Sequence, residues 1–428
     1  MNKFKIKGFG GKKKLKGIYK VSGSKNESLP AMAMSFLFSD EYIVENVPDI
    51  EDMRRMLELL KKMGFKTNNE KNIFNIKPTN KLSSVIDYEI GGKMRSSLML
   101  TASVLARMGK VSFSFPGGCA IGERPIDLTL KAYEKMGAKV SQKGDIFYIK
   151  AKKLKGAEIF FDKISVTGTE SVIMAASLAH GKTILRNAAM EPEVVGIGNY
   201  LKSLGVKIKG LGTPMIEIEG TGGKLLKTKK KKFKVMPDRI EAGSILAMAV
   251  LSGKNVLIKN FNYDHLYPLV YILEESGANL KFGKNYVKVL EANKKLLPIE
   301  NFLKTHEFPG FPTDLQQQMG VYFTQCEGKS KIFETIYENR FGYAEDLKKM
   351  GAKIDVWNKY ELLVHGKTKL RGKPDLYAPD LRGGFALIMA AVLAEGNSVI
   401  DNIYMVKRGY ENIIKKLRGI GVLIEEIE

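Results

Sequence analysis

Cysteine is nearly absent from this chain. Its 428 residues hold only Cys119 and Cys326, with no CxxC spacing, too few for a disulfide scaffold. Histidine is almost as scarce. His180, His265, His306 and His365 are scattered without a partner at metal-ligand spacing, which sets metal catalysis aside. Long apolar runs are missing as well: none approaches the roughly 20 residues of a membrane span. The basic start MNKFKIKGFGGKKKLKG is not followed by the apolar core of a signal peptide. The expectation is a cytoplasmic protein with no membrane attachment. Acidic residues are outnumbered, 46 Asp and Glu against 69 Lys and Arg, for a net charge of +23. Such a charge invites a nucleic-acid reading, and Lys12 to Lys14 and KTKKKKFK (227–234) look like patches. Aromatic residues do not alternate with these lysines beyond the single Phe233, no nucleic-acid-binding motif accompanies them, and Lys, Asn and Ile are abundant throughout. Solvated lysine is the favoured reading, with a positive field that gathers small anionic substrates.

The length is too great for one ordinary core, and two domains are expected. A repeat sharpens this. A short β-rich segment, a loop, an amphipathic helix, a glycine and another strand recur six times, closing at Gly64, Gly137, Gly205, Gly277, Gly351 and Gly421. These glycines come about every 70 residues, a period too long for the common solenoids. Each stands where a helix should end in a left-handed residue before the next strand. A second helix precedes each β segment: ESLPAMAMSFLF, MRSSLMLTASVLARM, ESVIMAASLA, EAGSILAMAVL, DLQQQMGVYFT and GGFALIMAAVLA. These are small and apolar nearly all round, so they are predicted to lie buried against sheets, and each is too short to span a membrane. Six such units divide naturally into two domains of three.

Several stretches carry chemistry. They are GSKNESLP (23–30), PGGCAIGERPIDL (116–128), PDRIEAG (237–243), FPTDLQQQ (311–318), ENRF (338–341), DLRGG (380–384) and RGYENI (408–413). Read alone, Ser24 and Asp314 could be helix caps, any single Arg a surface charge, and Cys119 a small buried side chain. Together and in this order, the stretches resemble the enolpyruvyl transferase family over essentially the full length. The resemblance implies an α/β fold, an inside-out α/β barrel of two lobes, each of three βαβαββ repeats. One lobe would comprise residues 1–22 and 236–428, the other 23–235, with the KKKK run a solvated turn beside the second crossover.

The activity implied is transfer of the enolpyruvyl group of phosphoenolpyruvate to the 3-hydroxyl of UDP-N-acetylglucosamine, releasing phosphate, with no cofactor, nucleic-acid or obligate protein partner. The donor bears a phosphate and a carboxylate, which planar, permanently charged Arg side chains suit. The resemblance puts Lys25, Arg124 and Arg408 at the donor phosphate, Arg340 and Arg382 nearer its carboxylate, and Arg95 near the sugar nucleotide. It makes Asp314 the acceptor of the hydroxyl proton, Asn26 a partner of the amide sugar and Ile336 an apolar sugar contact. Arg124, Pro125, Ile126, Asp127 and Leu128 match the uridine loop; Lys163, Val166, Thr167 and Gly168 match the loop at the diphosphate and uracil, where glycine lets backbone N–H groups approach an anion. Cations on both lobes imply that substrates draw the lobes together. Cys119 is assigned as the acid that protonates the donor's methylene carbon, and as a site of covalent adducts. Its loop, PGGCAIG, is glycine-rich enough for a lid, and a nearby cation such as Arg124 would lower the thiol pKa.

Four positions depart from the family pattern: Thr129 for a usual His, Glu51 for a frequent Lys, Glu123 for Ala or Pro, and Phe308 for a frequent His. Two other readings compete. The sister enzymes that use shikimate 3-phosphate share the fold and the donor cations, but lack the cysteine and the RPIDL segment. A basic, non-catalytic nucleic-acid-binding protein leaves the whole motif set unexplained.

Overall fold

A computed structural model describes residues 3–115, 126–291, 295–299 and 302–428. Cys119, Arg124 and Pro125 lie outside these described residues, as does Glu123. The described chain forms two compact units, one from residues 3–22 and 237–428, the other from 23–115 and 126–236.

In the first unit, three helices, Arg239–Ser252, Gln316–Phe323 and Leu381–Leu393, pack against one another and are buried along nearly their whole length. Their sequences explain this: small and branched apolar residues on all sides leave no face for water. Three four-stranded sheets surround them. The opening residues join these sheets. Lys3–Lys7 pairs antiparallel between Asn397–Asp401 and Leu423–Ile427, while Leu15–Lys20 runs parallel to Gly253–Lys259. The second unit repeats the plan. Its buried helices are Lys25–Ala33, continued by the 3-10 turn Met34–Leu37, then Leu98–Met108 and Val166–Leu178. Two four-stranded sheets and one three-stranded sheet enclose them. Helices inside and sheets outside make each unit an inside-out α/β barrel.

Each sheet is followed through by an amphipathic outer helix, of which Glu51–Lys62 is typical. It buries Met53, Met56, Leu57, Leu59 and Leu60, opens with Glu51 and Asp52 and closes with Lys61 and Lys62, as the helix dipole favours. The six repeat glycines all take the left-handed conformation, with φ between 92° at Gly137 and 103° at Gly205. A side chain there would be strained, and this is why glycine recurs at the helix-to-strand turn. Lys229 to Lys232 form an exposed turn, in which Lys232 pairs with Glu45 at 2.7 Å. No helix among the described residues is long and apolar enough to cross a membrane.

Candidate active site

Asp314 is the focus of the first unit. It sits in a 3-10 turn, Thr313–Leu315, leading into the buried helix Gln316–Phe323. It caps nothing. Its Oδ1 accepts from Arg340 Nη2 at 2.9 Å, and its Oδ2 accepts from Arg382 Nη2 at 2.9 Å and Nε at 3.1 Å. Both arginines are almost wholly buried, at 3% and 4% side-chain exposure, while the carboxylate keeps 23%. Burial alone would raise the Asp314 pKa, but the charges of Arg382 and Arg340 and their hydrogen bonds hold it well below the usual carboxylate range. The surroundings fix this triad. Arg340 donates to Thr313 O at 2.9 Å and lies over the Tyr337 ring. Arg382 lies over Tyr410, whose ring stacks on Phe385. Asp380 caps the helix that begins at Leu381 by accepting from the backbone N–H groups of Arg382 and Gly383.

Two buried carboxylates that the sequence does not single out organise the neighbourhood. Glu334 is fully buried and accepts from Thr305 Oγ1, Thr313 Oγ1 and the N–H groups of Ile336 and Tyr337. It thereby ties the Asp314 turn to the segment that carries Ile336 and Arg340. Glu241 accepts from Tyr19 Oη and Lys416 Nζ, both at 2.8 Å. Lys416 also lies 4.0 Å from Glu411, three residues beyond Arg408. Arg408 itself is half-buried at the end of the short helix Tyr404–Lys407.

In the second unit, Lys25 and Asn26 open the helix Lys25–Ala33, and Ser24 caps it by accepting from Glu27 N. Lys25 Nζ pairs with the buried Asp52 at 3.1 Å. Arg95 stands in the 3-10 turn Arg95–Ser97. Ile126 is buried; Asp127 and Leu128 begin the helix Asp127–Lys135. Lys163 is exposed just before the helix Val166–Leu178, whose first turn holds Val166, Thr167 and Gly168. The Gly168 N–H donates to Ser165 Oγ at 3.1 Å, and a Cβ there would lie 3.1 Å from the Phe161 ring. Glu170, also unremarked in the sequence, is fully buried with neither carboxylate oxygen partnered among the described residues. Burial, with Glu193, Glu191 and Glu27 nearby, pushes its pKa well up.

The departures also find places. Thr129 is buried, Glu51 pairs with Arg55 at 3.0 Å, and the Phe308 ring lies under the Arg239 guanidinium.

Comparison with known proteins decides the family. A family model described as EPSP synthase (3-phosphoshikimate 1-carboxyvinyltransferase) matches residues 10–417. A Campylobacter lari protein named UDP-N-acetylglucosamine 1-carboxyvinyltransferase is 42% identical over 418 residues, covering 98% of each chain. One of the same name from Halothermothrix orenii is 41% identical and covers all of both chains. The chain belongs to the enolpyruvyl transferase family. Solved structures agree on the fold of this enolpyruvyl transferase. The enolpyruvyl transferase NikO from Streptomyces tendae superposes with a TM-score of 0.88 at 21% identity, over 99% of this chain and 98% of that one. EPSP synthase from Acinetobacter baumannii superposes with a TM-score of 0.78 at 19% identity, over the whole of both.

Proposed function

We propose that this enolpyruvyl transferase moves the enolpyruvyl group of phosphoenolpyruvate to the 3-hydroxyl of UDP-N-acetylglucosamine, the first committed step of peptidoglycan precursor synthesis. The observation that carries the reading is the 41–43% identity, over nearly their full lengths, to proteins named for that reaction. The chemistry is an addition followed by an elimination. The sugar oxygen bonds to the donor's C2 as the methylene carbon gains a proton from Cys119 and the hydroxyl proton leaves to Asp314. The methyl group so formed then loses a proton, the C2–O bond to phosphate breaks, and inorganic phosphate departs.

The Asp314 triad gives this sequence a logic. A carboxylate bridged by two buried arginines is a weak base. The donor's own carboxylate suits the same two guanidinium groups. By drawing Arg340 and Arg382 toward itself, it would restore basicity to Asp314 when there is a hydroxyl to deprotonate. Lys25, Arg124 and Arg408 would meet the phosphate, and Arg95 the sugar nucleotide. Asn26 and Ile336 would meet the sugar. The first turns holding Ile126 to Leu128 and Val166 to Gly168, with Pro125 and Lys163, would meet the uridine and diphosphate. On this reading the enzyme works in the cytoplasm, supplies the wall growth that sets cell shape and division, and is a target of the epoxide fosfomycin.

Acceptor choice is tested by phosphate release from phosphoenolpyruvate with UDP-N-acetylglucosamine and with shikimate 3-phosphate in separate reactions. Turnover with the first and background with the second is the expected outcome; the reverse would reassign the enzyme to the sister activity.

A further inference from the structure

Among the described residues the chain passes between its two units at residues 22–23 and 236–237. The same constellation of hydrogen bonds holds both passages. In the second unit, Val235 N donates to Glu45 O at 3.0 Å and Asn46 Nδ2 to Val235 O at 2.9 Å. Ser24 N then donates to Met236 O at 2.7 Å, and Met236 N to Glu27 Oε2 at 2.6 Å. In the first unit, Val21 N donates to Lys259 O at 3.1 Å and Asn260 Nδ2 to Val21 O at 3.0 Å. Asp238 N donates to Ser22 O at 2.9 Å, and Ser22 N to Glu241 Oε2 at 3.2 Å. Even the backbone repeats: Asn46 and Asn260 take φ of 60° and 61°.

The two glutamates stand at the third helical position, three residues after the caps Ser24 and Asp238, in the sequences SKNE and DRIE. In an ordinary capping box, that glutamate returns to the N–H of its own cap residue. Here the cap N–H already donates to the crossing segment, and the glutamate takes the N–H of that segment instead. Both backbone polar groups of Met236, and both of Ser22, are thereby bonded to the start of a helix. Each helix bears a cation at its first position, Lys25 in one and Arg239 in the other. Gly23 reinforces the second-unit clasp, since a Cβ there would lie 1.6 Å from Asn46 O.

We propose that Glu27 and Glu241 are positioning residues, which fasten the two crossing segments to the helix starts that present Lys25 and Arg239. For Glu27 the proposal rests on the reading of Lys25 as a phosphoenolpyruvate ligand. Burial raises both carboxyls: at Glu241 the counter-ion Lys416 opposes the rise, while Glu27 is pushed up to about 8, with Glu193 adding to the effect, so that its acid form is favoured near pH 7. Glutamine is therefore its close mimic, with the acceptor retained, while methionine keeps the volume and removes the acceptor.

The test compares Glu27→Gln with Glu27→Met in the full chain, by two readouts. Native-state hydrogen exchange at the Met236 amide should stay slow in the Gln variant and accelerate in the Met variant. In turnover, a displacement of Lys25 by an ångström is expected to lower kcat/KM for phosphoenolpyruvate about 100-fold in the Met variant, chiefly through KM. The Gln variant should stay within about threefold of wild type, on the same positioning argument. An unchanged Met236 amide, or full activity, in Glu27→Met would overturn the proposal. If the Met variant fails to fold, a fast Met236 amide in Glu27→Gln, or a more than tenfold loss of its activity, overturns it. Should the wild-type protein release no phosphate, the functional reading fails, yet the exchange contrast still decides whether the clasp exists.

Discussion

Asp314→Ala is expected to lower kcat by about 10²–10⁴-fold, the usual worth of a positioned acid or base. It should also destabilise the protein. Arg340 and Arg382 would remain almost wholly buried with the carboxylate between them gone. Breaking a buried pair by removing one partner typically costs about 3–5 kcal/mol, because the charge left behind is uncompensated. The two effects separate on adding an anion. Phosphoenolpyruvate should raise the Tm of Asp314→Ala more than that of wild type, since its carboxylate replaces the missing counter-charge, and it should restore no turnover. Asp314→Asn, which keeps the shape and loses the charge, should show the same kinetic defect. Thermal unfolding with and without phosphoenolpyruvate, beside steady-state rates, checks this; wild-type kcat in either variant would remove Asp314 from the chemistry.

Replacing Cys119 should have an effect at least as large. Cys119→Ala and Cys119→Ser are expected to lose about 10³-fold or more in turnover, while Cys119→Asp, which can still deliver a proton, retains a measurable fraction. Fosfomycin should alkylate Cys119 and spare Cys326. The second thiol is fully buried and directed at Tyr322 O, and burial pushes its pKa up to about 12, so it holds almost no thiolate near neutral pH. Peptide mapping after inhibition reads the outcome directly. An adduct on Cys326 alone, or undiminished turnover in Cys119→Ala, would contradict the assignment.

Much of the fold could be read in the sequence because its causes are local. The six glycines announce left-handed helix ends, and all six adopt them; the small apolar helices have no polar face and are all buried. Ser24 reads as a helix cap, although where the glutamates of SKNE and DRIE reach is not visible. That depends on segments about 200 residues away in the chain, and no periodicity encodes such a meeting. The same holds at Asp314. Its arginines lie 26 and 68 residues further on, so the sequence shows three charged residues in three motifs but not that they form one buried triad. Glu334 and Glu170 escape for a related reason: an isolated Glu reads as surface, and only burial gives it a role. At Gly168 the sequence shows a glycine in a loop motif, but not that its N–H meets Ser165 Oγ or that the Phe161 ring lies close by.

Proton addition and removal at the donor's methylene carbon, coupled to transfer onto the sugar nucleotide, are the core of the proposed reaction. The most direct measurement incubates the purified protein with phosphoenolpyruvate and UDP-N-acetylglucosamine in D₂O. Phosphate is quantified, and the nucleotide product is analysed by mass spectrometry and NMR. The expected result is stoichiometric phosphate release and an enolpyruvyl ether at the sugar's 3-oxygen, with deuterium in its methylene group. No phosphate release, or phosphate released without an enolpyruvyl sugar nucleotide, would contradict it.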